Sequence, residues 1–119
     1  MTRILIVDDD PLTQRLLSGL LKRAGYEAML SNDGADALKI LAQDDRFDAI
    51  VSDIRMPKMD GLHLLEEVTA YYPHIPVIIS SVTMSSAVVD EVMRRGASFL
   101  PRPFTLEAVV NALHAVSVY

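Results

Sequence analysis

The chain has 119 residues, half of them hydrophobic, which predicts one packed domain over residues 1–119 rather than a disordered segment. The absence of cysteine excludes disulfides and thiolate chemistry, and no apolar stretch approaches the roughly 20 residues of a membrane span. The formal net charge of −5 argues against non-specific nucleic-acid binding. Because the chain starts with a strand-like run and not with a signal-peptide pattern, we expect a cytoplasmic protein with no membrane or direct nucleic-acid partner.

Strand-like and helix-like segments alternate five times along the chain. The predicted strands are Arg3–Val7, Glu27–Ser31, Ala49–Ser52, Val77–Ser80 and Ser98–Leu100. The first, third and fourth are strongly apolar, as expected for strands that a parallel sheet buries on both faces. The second is more mixed and suits an edge position.

The segments between the strands have helical periodicity and helix-capping residues. The predicted helices are Pro11–Ala24, Ala35–Ala42, Gly61–Tyr72, Ser86–Arg95 and Leu106–Val116. Asp10, Asp60 and Thr105 are predicted N-caps, and Gly25 follows the first helix as a stop. In the first helix the predicted apolar face comprises Leu12, Leu16, Leu17, Leu20 and Leu21. Alternating strands and helices predict an α/β fold, a doubly wound parallel sheet that places ligands at the carboxyl ends of its strands.

Polar residues follow the strands at that edge. Asp8 and Asp9 follow the first strand, and Asp53 ends the run of the third. Clustered carboxylates repel each other without a cation, and oxygen-only ligands suit Mg²⁺. Ser80 and Ser81 end the fourth strand, and Arg102 follows the fifth. A carboxylate nucleophile, a metal, a hydroxyl and a cation are together the groups that phosphoryl transfer needs.

Several blocks of sequence at these positions resemble the response-regulator receiver domain over essentially the whole chain. The matching segments are Ile6–Pro11, Asp53–Gly61, Ile75–Ile78, Gly96–Ala97 and Arg102–Phe104. The resemblance implies a flavodoxin-like fold in the CheY-like superfamily, with five helices around a five-stranded parallel sheet of order 2-1-3-4-5. It also implies a phosphorylation-controlled switch of a two-component system, which is a regulatory domain and not an enzyme with an external substrate.

The resemblance implies a role for each matching residue. Asp53 corresponds to the aspartate that accepts a phosphoryl group from a kinase phosphohistidine. Asp9 corresponds to a direct Mg²⁺ ligand, Asp8 to its acidic companion, and the backbone carbonyl of Arg55 to the third protein ligand. Ser81 corresponds to the hydroxyl that moves to the phosphoryl oxygen, Phe99 to the aromatic switch, and Arg102 to a position that is almost always lysine in the family.

The implied partners are a sensor histidine kinase or a phosphotransfer protein. An output domain C-terminal to this chain, or a separate partner, would be controlled through the surface formed by the fourth helix, fifth strand and fifth helix. That surface is also the expected interface of a homodimer.

Two alternatives stay open at this stage. Arginine at 102, Val82 beside Ser81, and a turn with only Ser98 between Ala97 and Phe99 depart from the family pattern, and they would suit a degenerate receiver that acts as a phosphate-independent interaction module. An aspartyl phosphatase would need a second aspartate two residues after the nucleophile, where this chain has Arg55. His63, His74 and His114 are scattered and are predicted to be surface residues.

Overall fold

The computed structural model describes residues 2–54, 61–80, 85–102, 104–116 and 118. Within these ranges the five strands are β1 Arg3–Val7, β2 Glu27–Ser31, β3 Ala49–Asp53, β4 Val77–Ser80 and β5 Ser98–Leu100. The five helices are α1 Pro11–Arg23, α2 Gly34–Gln43, α3 Gly61–Tyr71, α4 Ser86–Arg94 and α5 Leu106–Ala115. The predicted bounds of every element therefore agree with the structure to within one residue.

All five strands are parallel and lie in the order β2-β1-β3-β4-β5, which confirms the predicted topology. Val7 pairs in register with Ser52, and Asp53 pairs with Ser80. The residues that follow Val7 therefore leave the sheet beside Asp53, and this register brings the acidic groups of two strands together. The mixed strand β2 lies at an edge, as expected, and exposes Met29 and Leu30.

The sheet separates two hydrophobic cores because successive side chains of a strand point to opposite faces. Ile4 and Ile6 of β1 pack in the core that α1 and α5 cover. Leu5 and Val7 pack in the other core, which α2, α3 and α4 cover. β1 is buried on both faces, as its apolar sequence predicts, and it holds the acidic turn that follows it on a rigid strand.

Helix α1 begins as predicted but buries fewer leucines than its sequence suggests. The Asp10 side chain accepts a hydrogen bond from the Leu12 backbone N–H and caps the helix, and Gly25 follows its end at a φ of 92°. Leu17, Leu20 and Leu21 are buried, but Leu12 is 72% exposed and Leu16 52% exposed. Leu12 and Leu16 extend the apolar stripe beyond the width that the sheet covers, so these two members of the apolar face are exposed.

Part of the predicted machinery lies outside the described residues: Arg55, Asp60, Ser81 and Val82. Among the helices that the structure describes, none combines the length and apolar character required to cross a bilayer.

Candidate functional site

Three carboxylates converge at the carboxyl edge of the sheet. Asp8 and Asp9 follow β1, Asp53 ends β3, and an oxygen from each lies within 4.8 Å of the others. Asp8 is buried, Asp53 is half-buried and Asp9 is exposed, so the cluster opens to solvent on one side. Hard divalent cations prefer carboxylate oxygens, and this donor set therefore fits a metal such as Mg²⁺.

Asp8 is the carboxylate that the fold holds most firmly. Its Oδ1 accepts a hydrogen bond of 2.9 Å from the Asp10 backbone N–H, and its Oδ2 accepts one of 3.1 Å from Arg102. Burial raises the pKa of the Asp8 carboxyl above 3.8, and the charge of Asp53 adds to the rise, whereas the Asp10 N–H and Arg102 oppose it. The site thus holds a buried negative charge that its surroundings do not fully compensate.

Asp53 is fixed by the end of its own strand. Its Oδ1 accepts a hydrogen bond of 2.8 Å from the Ile54 backbone N–H, and its side chain is 17% exposed. The backbone of α3 packs directly against this strand end, where the Gly61 N–H donates to the Ile54 carbonyl at 2.7 Å. A Cβ added at Gly61 would overlap the Asp53 carbonyl oxygen, so glycine is required here by close packing. The Asp53 carboxylate is therefore partly accessible on a rigid support.

Arg102 reaches the acidic cluster from the residues after β5. Its Nη2 lies 3.1 Å from Asp8 Oδ2 and 3.9 Å from Asp53 Oδ1. Its Nε donates to Ser80 Oγ at 3.3 Å, so the hydroxyl at the end of β4 contacts the candidate site through Arg102. Arg102 therefore lies near both carboxylates, and the closer of the two is Asp8.

Sequence reasoning missed two polar residues in the first turn of α1. Thr13 and Gln14 are both buried. The Gln14 Nε2 amide donates to the Asp8 carbonyl, and it lies 3.3 Å from the Ser31 carbonyl and 3.2 Å from Asn32 Oδ1. Both residues lie at helical spacing from the buried Leu17, on the side of α1 that faces the core. A polar side chain on the apolar face of a predicted helix is the sequence signal that could have identified them.

Replacing Gln14 with leucine should lower the free energy of unfolding by about 1–3 kcal/mol, because the buried Asp8 and Ser31 carbonyls lose a donor that apolar volume cannot replace. Urea denaturation followed by circular dichroism would measure the loss. Gln43→Leu, at an exposed position on α2, is the matched control and should change stability by less than about 0.5 kcal/mol. Equal effects of the two substitutions would show that the Gln14 amide does not stabilise the turn.

Among the remaining predicted residues, the structure describes Phe99 and the three histidines. Phe99 is half-buried on β5, and Ser81 and the Arg55 carbonyl lie outside the described residues. The three histidines are exposed, as expected; His63 lies 3.7 Å from Glu67, and His74 lies 3.9 Å from Asp45.

Comparisons with known proteins agree with this geometry. The family model of the response regulator receiver domain matches residues 4–114. The chain is 39% identical over 111 residues to the two-component response regulator ORR22 of Oryza sativa subsp. indica, covering 92% of this chain and 16% of that protein. It is 36% identical over 117 residues to the response regulator MprA of Mycobacterium leprae, covering 96% of this chain and 50% of that protein. The chain thus spans half or less of the length of these curated relatives.

Solved structures of response regulators also superpose on this chain. The chemotaxis response regulator CheY4 of Vibrio cholerae superposes with a TM-score of 0.86 at 34% identity, covering 98% of each chain. The receiver domain of a Clostridium thermocellum protein superposes with a TM-score of 0.86 at 26% identity, covering 98% of this chain and 97% of that one.

Proposed function

Because the chain belongs to the family of response regulator receiver domains, which are regulatory domains of two-component signalling, we propose that Asp53 is its phosphoacceptor and that the reaction depends on Mg²⁺. The observation that carries the proposal is the convergence of Asp8, Asp9 and Asp53 within 4.8 Å, with the Arg102 guanidinium beside them. The degenerate receiver is not favoured, since the complete set of acids is present at the correct strand ends.

The proposed reaction is a transfer of one phosphoryl group to Asp53. A carboxylate oxygen of Asp53 forms a bond to phosphorus while the bond between phosphorus and the donor's imidazole nitrogen breaks, and the donor leaves as histidine. The half-buried position of Asp53 admits a donor from the solvent side. Its Ile54 N–H contact fixes the direction of the carboxylate before the donor arrives.

Asp8, Asp9 and Asp53 would hold the Mg²⁺ ion, with the Arg55 backbone carbonyl as a further proposed ligand. The ion would neutralise negative charge on the phosphoryl oxygens as the bonds change. Arg102 would bind a phosphoryl oxygen with its guanidinium, since charge-assisted hydrogen bonds to phosphate suit this group.

The response to phosphorylation is proposed to pass through Ser81 and Phe99 to the α4-β5-α5 surface. Val92 is the buried residue of α4, so this helix is held by a small apolar contact. A lightly anchored helix is suited to two packings of similar energy, which phosphorylation could bias. This surface is the proposed contact for an output domain or a second copy of the chain.

The proposal also includes the phosphoryl donor and the place in the cell where the domain acts. The donor is a sensor histidine kinase or a phosphotransfer protein, and the domain acts in the cytoplasm. Residues 1–119 act as a single receiver domain that catalyses only its own phosphorylation and dephosphorylation.

The test is phosphorylation of the purified chain by acetyl phosphate in Mg²⁺, followed by intact-mass and peptide mass spectrometry. We expect one phosphoryl group on wild-type protein, none on Asp53→Asn, and none after EDTA treatment. Asp90→Asn, which removes one exposed carboxylate on α4, is the charge-matched control and should be labelled like wild type. Equal labelling of wild type and Asp53→Asn, or labelling that EDTA does not change, would contradict the proposal.

A further inference from the structure

The Arg102 guanidinium uses each of its three nitrogens. Nη2 faces the acids Asp8 and Asp53, Nε lies 3.3 Å from Ser80 Oγ, and Nη1 lies 3.4 Å from Thr13 Oγ1. The guanidinium carbon lies 5.0 Å from the centre of the Phe104 ring. A compact ammonium could not contact groups in these divergent directions at once, so the surroundings suit a planar fork.

Thr13 is placed to orient this fork. Its hydroxyl donates a hydrogen bond of 2.6 Å to Asp10 Oδ2, which leaves the oxygen lone pairs of Thr13 to accept from Arg102. Asp10 is itself fixed as the N-cap of α1. The buried Thr13 hydroxyl therefore links the start of α1 to the Arg102 guanidinium, which belongs to a residue near the other end of the sequence.

The Arg102 guanidinium donates a hydrogen bond to an Asp8 oxygen that a divalent cation would also require as a ligand. Both Asp8 oxygens accept hydrogen bonds, one from the Asp10 backbone and one from Arg102. The guanidinium places a positive charge beside Asp8 and Asp53, two of the three carboxylates that fit the metal. A divalent cation and Arg102 thus compete for the same negative charge.

We propose that Thr13 is a positioning residue that holds Arg102 on Asp8, so that the guanidinium is the internal counterion of the acidic cluster and weakens the binding of a divalent cation. This inference rests on the proposed function, since it concerns the same site.

The test measures Mg²⁺ binding to the full chain by isothermal titration calorimetry, together with the NMR signal of the Arg102 Nη–H groups in metal-free protein, because Nη1 is the atom that contacts Thr13. Removing the competing charge with Arg102→Gln should lower the Kd for Mg²⁺ by about tenfold. Arg102→Lys keeps the charge and should change it by less than about threefold. Arg46→Gln, which removes an exposed arginine, is the control for net charge and should leave the Kd unchanged.

The positioning role of Thr13 has its own pair of variants. Thr13→Val keeps the shape but removes the acceptor of the Arg102 Nη1–H, so we expect the Kd for Mg²⁺ to fall by about threefold and the slowly exchanging Arg102 Nη–H signal to be lost. Thr13→Ser should restore both. A Thr13→Val protein that is less stable but keeps the wild-type signal and affinity would overturn the positioning role.

An Arg102→Gln protein that binds Mg²⁺ no more tightly than wild type would overturn the competition. These results are independent of the labelling test. If Asp53 is phosphorylated while the affinities of wild type and Arg102→Gln are equal, the competition fails and the proposed function stands. If Arg102→Gln binds Mg²⁺ more tightly while Asp53 is never labelled, the proposed function fails instead.

Discussion

Asp8→Asn should make the metal-free protein more stable, by about 1 kcal/mol at neutral pH, and weaken Mg²⁺ binding by about tenfold or more. The stability gain is expected because the surroundings of Asp8 raise its pKa and therefore oppose its ionised form. The loss of affinity is expected because the substitution removes one of three clustered carboxylates. Urea denaturation in Mg²⁺-free buffer and calorimetric Mg²⁺ binding would measure the two effects.

The pH dependence of stability gives the same prediction a second check. The native state holds the Asp8 proton more tightly than the unfolded state, whose pKa is near 3.8. As the pH rises from below 3.8 through the raised native pKa, wild-type protein should therefore lose stability relative to Asp8→Asn. Saturating Mg²⁺ should then favour wild type, because a ligand that binds only the folded protein stabilises it.

The matched control for this experiment is Asp90→Asn, at an exposed position away from the cluster. It should neither stabilise the metal-free protein nor weaken Mg²⁺ binding. If Asp8→Asn were less stable than wild type without metal, or bound Mg²⁺ equally well, Asp8 would not be the destabilised buried charge and metal ligand that we propose.

Gly61→Ala should lower the free energy of unfolding by about 1–3 kcal/mol and slow phosphorylation of Asp53 by about tenfold to a hundredfold. The added Cβ would overlap the Asp53 carbonyl oxygen and lie 2.9 Å from the Ile54 Cα, so either α3 or the end of β3 must move. Both neighbours are backbone and cannot rotate aside. Urea denaturation and the rate of labelling by acetyl phosphate would measure the two losses.

Gly19→Ala is the contrasting variant, because a Cβ at this exposed position on α1 meets no atom within 4 Å. Alanine in a helix interior should raise the free energy of unfolding by about 0.5–1 kcal/mol and leave labelling unchanged. A Gly61→Ala protein as stable and as reactive as Gly19→Ala would refute the close-packing explanation.

The fold was largely predictable because its local signals agree with one another. The apolar runs of β1, β3 and β4 required burial on both faces, and capping residues such as Asp10 and Thr105 marked helix starts. The outward position of Leu12 and Leu16 was not predictable from periodicity. Periodicity gives the direction of the apolar stripe of a helix but not the width that the sheet covers.

The acids of the site were predictable for the same topological reason. Asp8 and Asp53 terminate apolar runs, and adjacent parallel strands bring such ends together. The sequence could not show that Arg102 lies closer to Asp8 than to Asp53. We attribute that preference to the Thr13 and Ser80 oxygens, which accept hydrogen bonds from the guanidinium and lie on α1 and β4, far apart in the sequence.

The edge position of β2 also bears on how copies of this chain behave in concentrated solution. The outer side of an edge strand offers backbone groups that can pair with another chain, and Met29 and Leu30 add exposed apolar surface there. The exposed Glu27 at the start of β2 and the net charge of −5 oppose such pairing by electrostatic repulsion. Because the pI is about 5.0, acidification toward that value weakens this repulsion, and we expect solubility to fall there, with the exposed edge of β2 as one site where strands of two copies can pair.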